Sequence, residues 1–508
     1  MNRFCLIIYI WVFQMGAISS QSYTKDPVVA HRGAWKSEKF PENSIAALRH
    51  AIKLGCMASE FDVRMTADDI LVINHDPEYH GLPIEKTNFS DLKKFLLKNG
   101  ESIPTLEQYL LEGSINNYTT RLVLEIKPSE VSKERGRKIA RQAGLLVQNL
   151  GLNAIVDFIS FDIDILKELI TTCPDISTQY LNGDLSPTEL KKLGVDGLDY
   201  HFKVFYKHPE WITEAKAIGL ILNVWTVNDA DDMAFFLEKE FDLITTNEPE
   251  LLYQKLRKSG ANHQWHLVWR DEFSYRGLPD TTRWNYDVGG HGWGNSEKQF
   301  YLANSLENAA VKQGKLHITA LQKAHENAAY TSAKLTTYQR FLMQYGKIEV
   351  RAKLPAGKGT WPAIWMLPES IKTNTENWPL CGEIDIMEHV GKDPNMVHTS
   401  LHSELYNHIK GTQVTHFDKL SDVSGSFHTY GIEWDEKSIR FIIDGQLYFE
   451  SLKGQNGHIS TNEGWPFDKP YFLILNLAIG GNWGGEIDPN IFPSTMEIDF
   501  VRMYKKNN

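Results

Sequence analysis

The stretch LCGEIDIMEHVG, residues 380–391, sets three carboxylates, Glu383, Asp385 and Glu388, in an otherwise apolar run. On a strand, side chains alternate between faces, so Glu383, Asp385 and Met387 share one face and Glu388 points away. A β-bulge inserts one residue, resets the phase and turns Glu388 onto the face of the other two. Three acids on one face would be costly in a packed core. In an open cleft they are a catalytic device.

Two carboxyl groups roughly 5–5.5 Å apart are the geometry of a retaining glycosidase. In that reading Glu383 is the nucleophile, Glu388 the acid/base, and Asp385 holds Glu383 by a hydrogen bond and tunes its pKa. A bare E-x-D-x-x-E is more often an acidic edge strand with solvated charges, so the flanks decide. They read GKIEVRAKLPAGKGTWPAIWMLPE (346–369), HTSLHSE (398–404), GGHGWGNSEKQFY (289–301) and IGGNWGG (479–485). Around them, alternating strands at 315–320, 347–353, 438–443 and 472–478 are divided by Gly, Asn and Pro turns, with Asp444-Gly445 as a hairpin signal. The pattern is that of an all-β sandwich.

Residues 265–506 resemble the bacterial laminarinase branch of glycoside hydrolase family sixteen. The bulged motif is typical there and in carrageenases; lichenases and plant xyloglucan enzymes usually carry E-x-D-x-E. The resemblance implies a jelly roll with a sugar cleft for internal β-1,3-glucan bonds. Trp361, Trp365, Trp378 and Trp483 are its candidates for stacking on sugar rings, and Asn295, Arg351 and His402 for contacts to hydroxyls. His428 and Trp434 are assigned to structure. The family also implies a structural Ca²⁺ on the convex side, with Asp499 and, more weakly, Glu272 as ligands.

A length of 508 residues calls for two or more domains. The net charge of −11, without a basic run, argues against a nucleic-acid binder. Met1-Asn2-Arg3, an apolar run over 4–13 and small residues at Ala17, Ser19 and Ser20 form a secretory signal peptide, expected to span residues 1–20. The run is too short for a transmembrane anchor. A secreted or periplasmic monomer is expected. Cys56, Cys173 and Cys381 are too scattered for a disulfide framework or a zinc site.

Ahead of the sandwich, short strands at 28–31, 59–64, 121–127, 156–161, 177–181, 197–201, 220–227 and 242–246 alternate with helical patterns. Eight such units suggest an α/β TIM barrel, whose active site lies at the C-terminal ends of its strands. His31, Glu60, Asp62, Glu125, Lys127 and Trp225 fall at those ends, with His75 after a further short strand. Glu60, Asp62 and Glu125 are hard oxygen ligands suited to Ca²⁺ or Mg²⁺. His31 and His75 can pass protons, and Arg32 and Lys127 can neutralise a phosphate. The conjunction describes metal-assisted phosphodiester hydrolysis.

The succession AHRG (30–33), PENS (41–44), EFDVRMTADDILVINHD (60–76), IPTLEQYL (103–110), LEIKP (124–128), VWTVN (224–228) and TTNEP (245–249) resembles glycerophosphodiester phosphodiesterases over residues 26–257. By that likeness Glu60, Asp62 and Glu125 hold the metal, His31 and His75 form the acid/base pair, and Trp225 meets substrate. Asn247 departs from the family's usual Asp in T-D-x-P, and little effect is expected of it. A polar linker, 258–264, joins the domains. The expectation is therefore a multidomain hydrolase, a barrel followed by a jelly-roll sandwich, acting on a glycerophosphodiester and a β-1,3-glucan polysaccharide. The rivals are a glycan-binding protein with a silent site and a hydrolase of a sulfated galactan.

Overall fold

The computed structural model describes residues 26–258, 264–454 and 460–506. The expected signal peptide and most of the expected linker lie outside them. No helix among the described residues is long and apolar enough to cross a membrane.

Eight parallel strands close into a barrel: Val28–Ala30, Ala58–Met65, Arg121–Ile126, Val156–Ser160, Ser177–Tyr180, Gly197–His201, Ile221–Trp225 and Leu243–Thr246. The first strand pairs with both the second and the eighth, which closes the ring. Leu71–Ile73 adds an antiparallel strand beside the second. The strands read as apolar runs because both of their faces are covered, one by helices and one by the barrel interior. The helices begin where their sequences ask. Ser44 caps Ile45–Leu54 through Ala47 N–H, and Thr105 and Ser186 form capping boxes.

The second domain is a sandwich of two antiparallel sheets. One runs, in spatial order, Asn285–Tyr286, Lys334–Thr336, Tyr471–Ile479, Thr360–Pro368, Glu383–Glu388, Met396–His402 and Val414–Lys419. The other is built on Gly346–Lys353 and Ser494–Lys506. In Gly346–Lys353 burial alternates strictly. Ile348, Val350 and Ala352 enter the core, while Lys347, Glu349, Arg351 and Lys353 face outward.

The sandwich docks on one end of the barrel. The buried Arg270 donates from Nε to Thr119 O (2.7 Å) and from Nη2 to Cys56 O (3.2 Å), and its backbone N–H reaches Tyr118 O (3.1 Å). Arg276 pairs with Asp196, and Tyr118 meets Phe341 edge to face at 5.5 Å. Cys56, Tyr118, Thr119 and Asp196 all precede barrel strands, so the contact is with the barrel's N-terminal end. Among the described residues, none of these contacts involves the C-terminal rim.

Candidate active sites

The bulge expected in 383–388 is present. The strand shifts register between Asp385 and Glu388 against Met396–His402, and its other neighbour, Thr360–Pro368, shifts between Ile364 and Trp365. Ala363 then faces Glu388, Trp365 faces Asp385 and His402 faces Glu383. His402 Nε2 lies 3.2 Å from Asp385 Oδ2 and 3.8 Å from Glu383 Oε1. Trp361 donates its indole N–H to Glu388 Oε1 at 3.1 Å and packs edge-on against Trp483 at 5.5 Å. Trp365 donates to Asn476 Oδ1 at 2.6 Å. Trp378 stands beside His402 and His408. Asn295 accepts Asn482 N–H through its backbone carbonyl, which ties its loop to the turn that carries Trp483.

Burial, joined by the charge of Asp385, pushes Glu383 and Glu388 up to about 8, and burial pushes Asp385 to about 8 as well. Three carboxyls so placed do not all ionise at neutral pH. Mutual repulsion of this kind is what spreads the protonation of neighbouring carboxyls over a range of pH.

One expectation fails here. Arg351 is on the other sheet, faces outward, and pairs with Asp499 (Nη1 to Oδ2, 2.5 Å) while lying over Phe427. It therefore cannot touch a sugar in the cleft. Asp499 and Glu272, the expected Ca²⁺ ligands, each pair with an arginine, Arg351 and Arg502, the latter through two nitrogens. Neither belongs to a cluster of ligand atoms among the described residues. Unforeseen members of the cleft are Glu297, bonded to Gln299 and Tyr301, and Lys334. The ammonium of Lys334 lies 4.3 Å from the Trp293 ring and 4.8 Å from the Trp365 ring.

At the barrel rim a cavity of about 180 Å³ is lined by His31, Arg32, Glu60, His75, Glu125, Lys127 and Trp225 among others. Glu60, Asp62 and Glu125 bring one ligand oxygen each within 4.8 Å of one another, all three residues buried. Glu60 Oε1 is buried with no hydrogen-bond partner. Burial, then the charges of Asp62 and Glu125, raises the Glu60 carboxyl well above its ordinary value. Burial would raise Asp62 too, but Lys127, 2.7 Å away, and Asn43 hold it low. An orphaned buried oxygen and mutually repelling acids fit a hard divalent cation.

His31 Nδ1 lies 2.7 Å from Asn247 Oδ1, and burial followed by the Arg32 charge lowers its pKa to about 4. Asn247, expected to lie off the main ligand set, is thus the direct partner of His31. His75 Nδ1 bonds Asp76 Oδ1 at 2.8 Å on the more exposed side of the cavity. Arg32 pairs with Glu42, and Lys127 bridges Asp62 and Glu125.

A closed α/β barrel with an acid-lined rim and an antiparallel sandwich with a bulged acid strand define a two-domain hydrolase. The family model for Glycosyl hydrolases family 16 matches residues 296–502, and that for the Glycerophosphoryl diester phosphodiesterase family matches 31–251. A model named for the Beta-glucan synthesis-associated protein SKN1/KRE6/Sbg1 matches 202–374, across the domain boundary. The chain is 47% identical over 255 residues to a beta-glucanase of Rhodothermus marinus, covering 49% of this chain and 88% of that one. It is 38% identical to a glucan endo-1,3-beta-glucosidase of Cryptopygus antarcticus, covering 49% and 94%. A solved glycerophosphodiester phosphodiesterase of Parabacteroides distasonis is 43% identical, covers 46% of this chain and 98% of its own, and gives a TM-score of 0.45. The chain belongs to glycosyl hydrolases family 16 through its C-terminal half and to the glycerophosphoryl diester phosphodiesterase family through its N-terminal half.

Proposed function

We propose that the chain is a secreted or periplasmic bifunctional hydrolase that cuts internal β-1,3-glucan bonds with retention and hydrolyses a glycerophosphodiester with a divalent metal. The observation that carries the glucanase reading is the bulged strand that turns Glu383, Asp385 and Glu388 onto one open face. Glu383 attacks the anomeric carbon while Glu388 protonates the leaving oxygen; Glu388 then takes a proton from the water that releases the sugar. Beyond burial, Asp385 raises the Glu383 carboxyl by its charge, and His402, near both, opposes it. Trp361 orients Glu388, and Trp365, Trp378 and Trp483 offer faces to sugar rings. Asn295 is the proposed partner of a sugar hydroxyl.

In the barrel, Glu60, Asp62 and Glu125 would hold Ca²⁺ or Mg²⁺, which when bound draws charge off the phosphoryl oxygens. Arg32 and Lys127 neutralise the diester, and Trp225 walls the cavity. His31, held neutral, can accept a proton, and His75, nearer solvent, can donate one to the leaving alcohol. Both chemistries on one chain suit a phosphoglycerol-decorated glucan, one half removing the decoration and the other cutting the backbone.

The test is reducing-end release from laminarin by wild type, Glu388→Ala, and the double variant His31→Ala with His75→Ala. Cleavage by wild type and the double variant but not by Glu388→Ala is expected. Intact laminarin with wild type, or a preference for agarose or carrageenan, would overturn the glucanase reading. Unchanged release by Glu383→Gln would support a binding protein instead.

A further inference from the structure

Asp199 lies on the sixth barrel strand, Gly197–His201, and lines the rim cavity. Counting around the ring, that strand stands opposite the second, which carries Glu60 and Asp62. Asp199 is 2% exposed, and its Oδ1 has no hydrogen-bond partner. Burial, with the charge of Glu125, raises its carboxyl well above the ordinary range. None of the roles proposed above uses it. Its surroundings on that side are Ile159, Phe161, Leu181 and Trp225. Trp225 is fixed there by its indole N–H, which donates to Asp199 O at 2.9 Å, and Phe161 meets it edge to face at 5.6 Å.

The cavity is therefore electrically two-sided. One side holds the acid cluster with Arg32 and Lys127 and suits a phosphodiester anion. The other offers a single buried carboxyl, two aromatic rings and aliphatic surface. A polyol would bring several hydroxyls to this second side. Thr245, which also lines the cavity, already gives its hydroxyl to Asn223 (3.2 Å). An alkylated ammonium needs one counter-charge, and its methyl groups suit aromatic faces and aliphatic walls.

We infer that Asp199, with Trp225 and Phe161, forms a subsite for an alkylammonium head group on the leaving side, so that the barrel prefers zwitterionic glycerophosphodiesters. This rests on the phosphodiesterase reading above. The buried carboxyl gains a counter-charge when the head group binds.

The experiment compares kcat/KM for sn-glycero-3-phosphocholine and sn-glycero-3-phosphoglycerol, and inhibition by tetramethylammonium, in wild type, Asp199→Asn and Asp199→Leu. The barrel's own calorimetric unfolding transition in the same preparations reports that each variant is folded. Wild type should favour the choline diester and be inhibited competitively by tetramethylammonium. Both variants should lose on the order of 10- to 100-fold on the choline diester, much less on the glycerol diester, and the inhibition with it. Equal losses on both diesters, no inhibition of wild type, or a wild-type preference for the glycerol diester that depends on Asp199 would overturn the subsite. The last result would assign Asp199 to a hydroxyl. Turnover of neither diester with Ca²⁺ or Mg²⁺ present would instead sink the phosphodiesterase reading, and the subsite with it.

Discussion

Replacing Trp361 by Phe should move the alkaline limb of glucan cleavage to higher pH. The indole N–H donates to Glu388 Oε1 at 3.1 Å, and that bond favours the carboxylate. A hydrogen bond to a charged group is worth about 1.5–3 kcal/mol, and about 1.4 kcal/mol is one pKa unit. Phe keeps most of the ring that packs on Trp483 but cannot donate. Glu388, pushed up to about 8 by burial and the charge of Asp385, should therefore rise further, by about 1–2 units. A general acid must be protonated, so its activity is lost as pH climbs through its pKa. Raising that pKa extends activity upward in pH. The assay is kcat/KM on laminarin by reducing-end release from pH 5 to 10, which reports the free enzyme. The plateau should also fall, by roughly 10-fold, because Glu388 loses its orienting partner. A limb that stays in place or moves down would refute the assignment of Glu388 as the acid oriented by Trp361.

Four further outcomes are expected. Asn247→Asp puts a carboxylate beside His31 Nδ1, now 2.7 Å from Asn247 Oδ1, and should raise the His31 pKa by about 1–3 units. If His31 acts as a base, the acid limb of diester hydrolysis rises with it, and an unmoved pH profile would dismiss the pairing. Chelation should abolish diester hydrolysis, Ca²⁺ or Mg²⁺ should restore it, and laminarin cleavage should change less than about twofold. The chelated barrel should also lose thermal stability as pH rises. Glu60 and Glu125 have raised folded pKa values, so they favour the fold below the ordinary carboxylate range and lose that contribution as pH climbs toward the folded values. A thermal midpoint that rises from pH 5 to 7.5 would contradict this. Arg270→Ala strips the donor from Thr119 O and Cys56 O in the domain interface, a loss of about 2–5 kcal/mol. Calorimetry should show the two domains unfolding at more widely separated temperatures, and an unchanged trace would count against the interface.

The acid strand was legible because its phase is wrong for a plain strand: two acids fall on one face and the third demands a bulge. The barrel rim was legible because charged residues at strand ends have few structural uses. Arg351 was misplaced for a physical reason. Alternation in Gly346–Lys353 tells which side chains face the core, but not which of the two sheets the strand joins. Asn247 was undervalued because 216 residues separate it from His31. Only closure of the barrel, which sets the eighth strand beside the first, brings them together. Asp199 gave a weaker signal still, a single acid in the strand GLDYH. Its inward direction follows from its pairing with Asn223 across neighbouring strands, which requires knowing the ring.

The geometry of the interface bears on how two hydrolases serve one substrate. Asp26, Cys56, Thr119, Pro174 and Asp196 meet the sandwich from the N-terminal ends of their strands. His31, Glu60, Glu125 and Trp225 open at the C-terminal ends. The barrel body therefore stands between its own mouth and the other domain. For the decorated glucan proposed above, the expectation is that the two sites engage it in separate encounters. Tethering then raises only the local concentration of each activity around one polymer. The consequence is measurable on a phosphodiester-decorated β-1,3-glucan. Glu388→Ala should release the diester product at the wild-type initial rate, because backbone cleavage is not needed to hand over the substituent. An initial rate that falls in step with glucanase activity would mean that the two sites work on one bound segment, against the placement of the barrel's mouth.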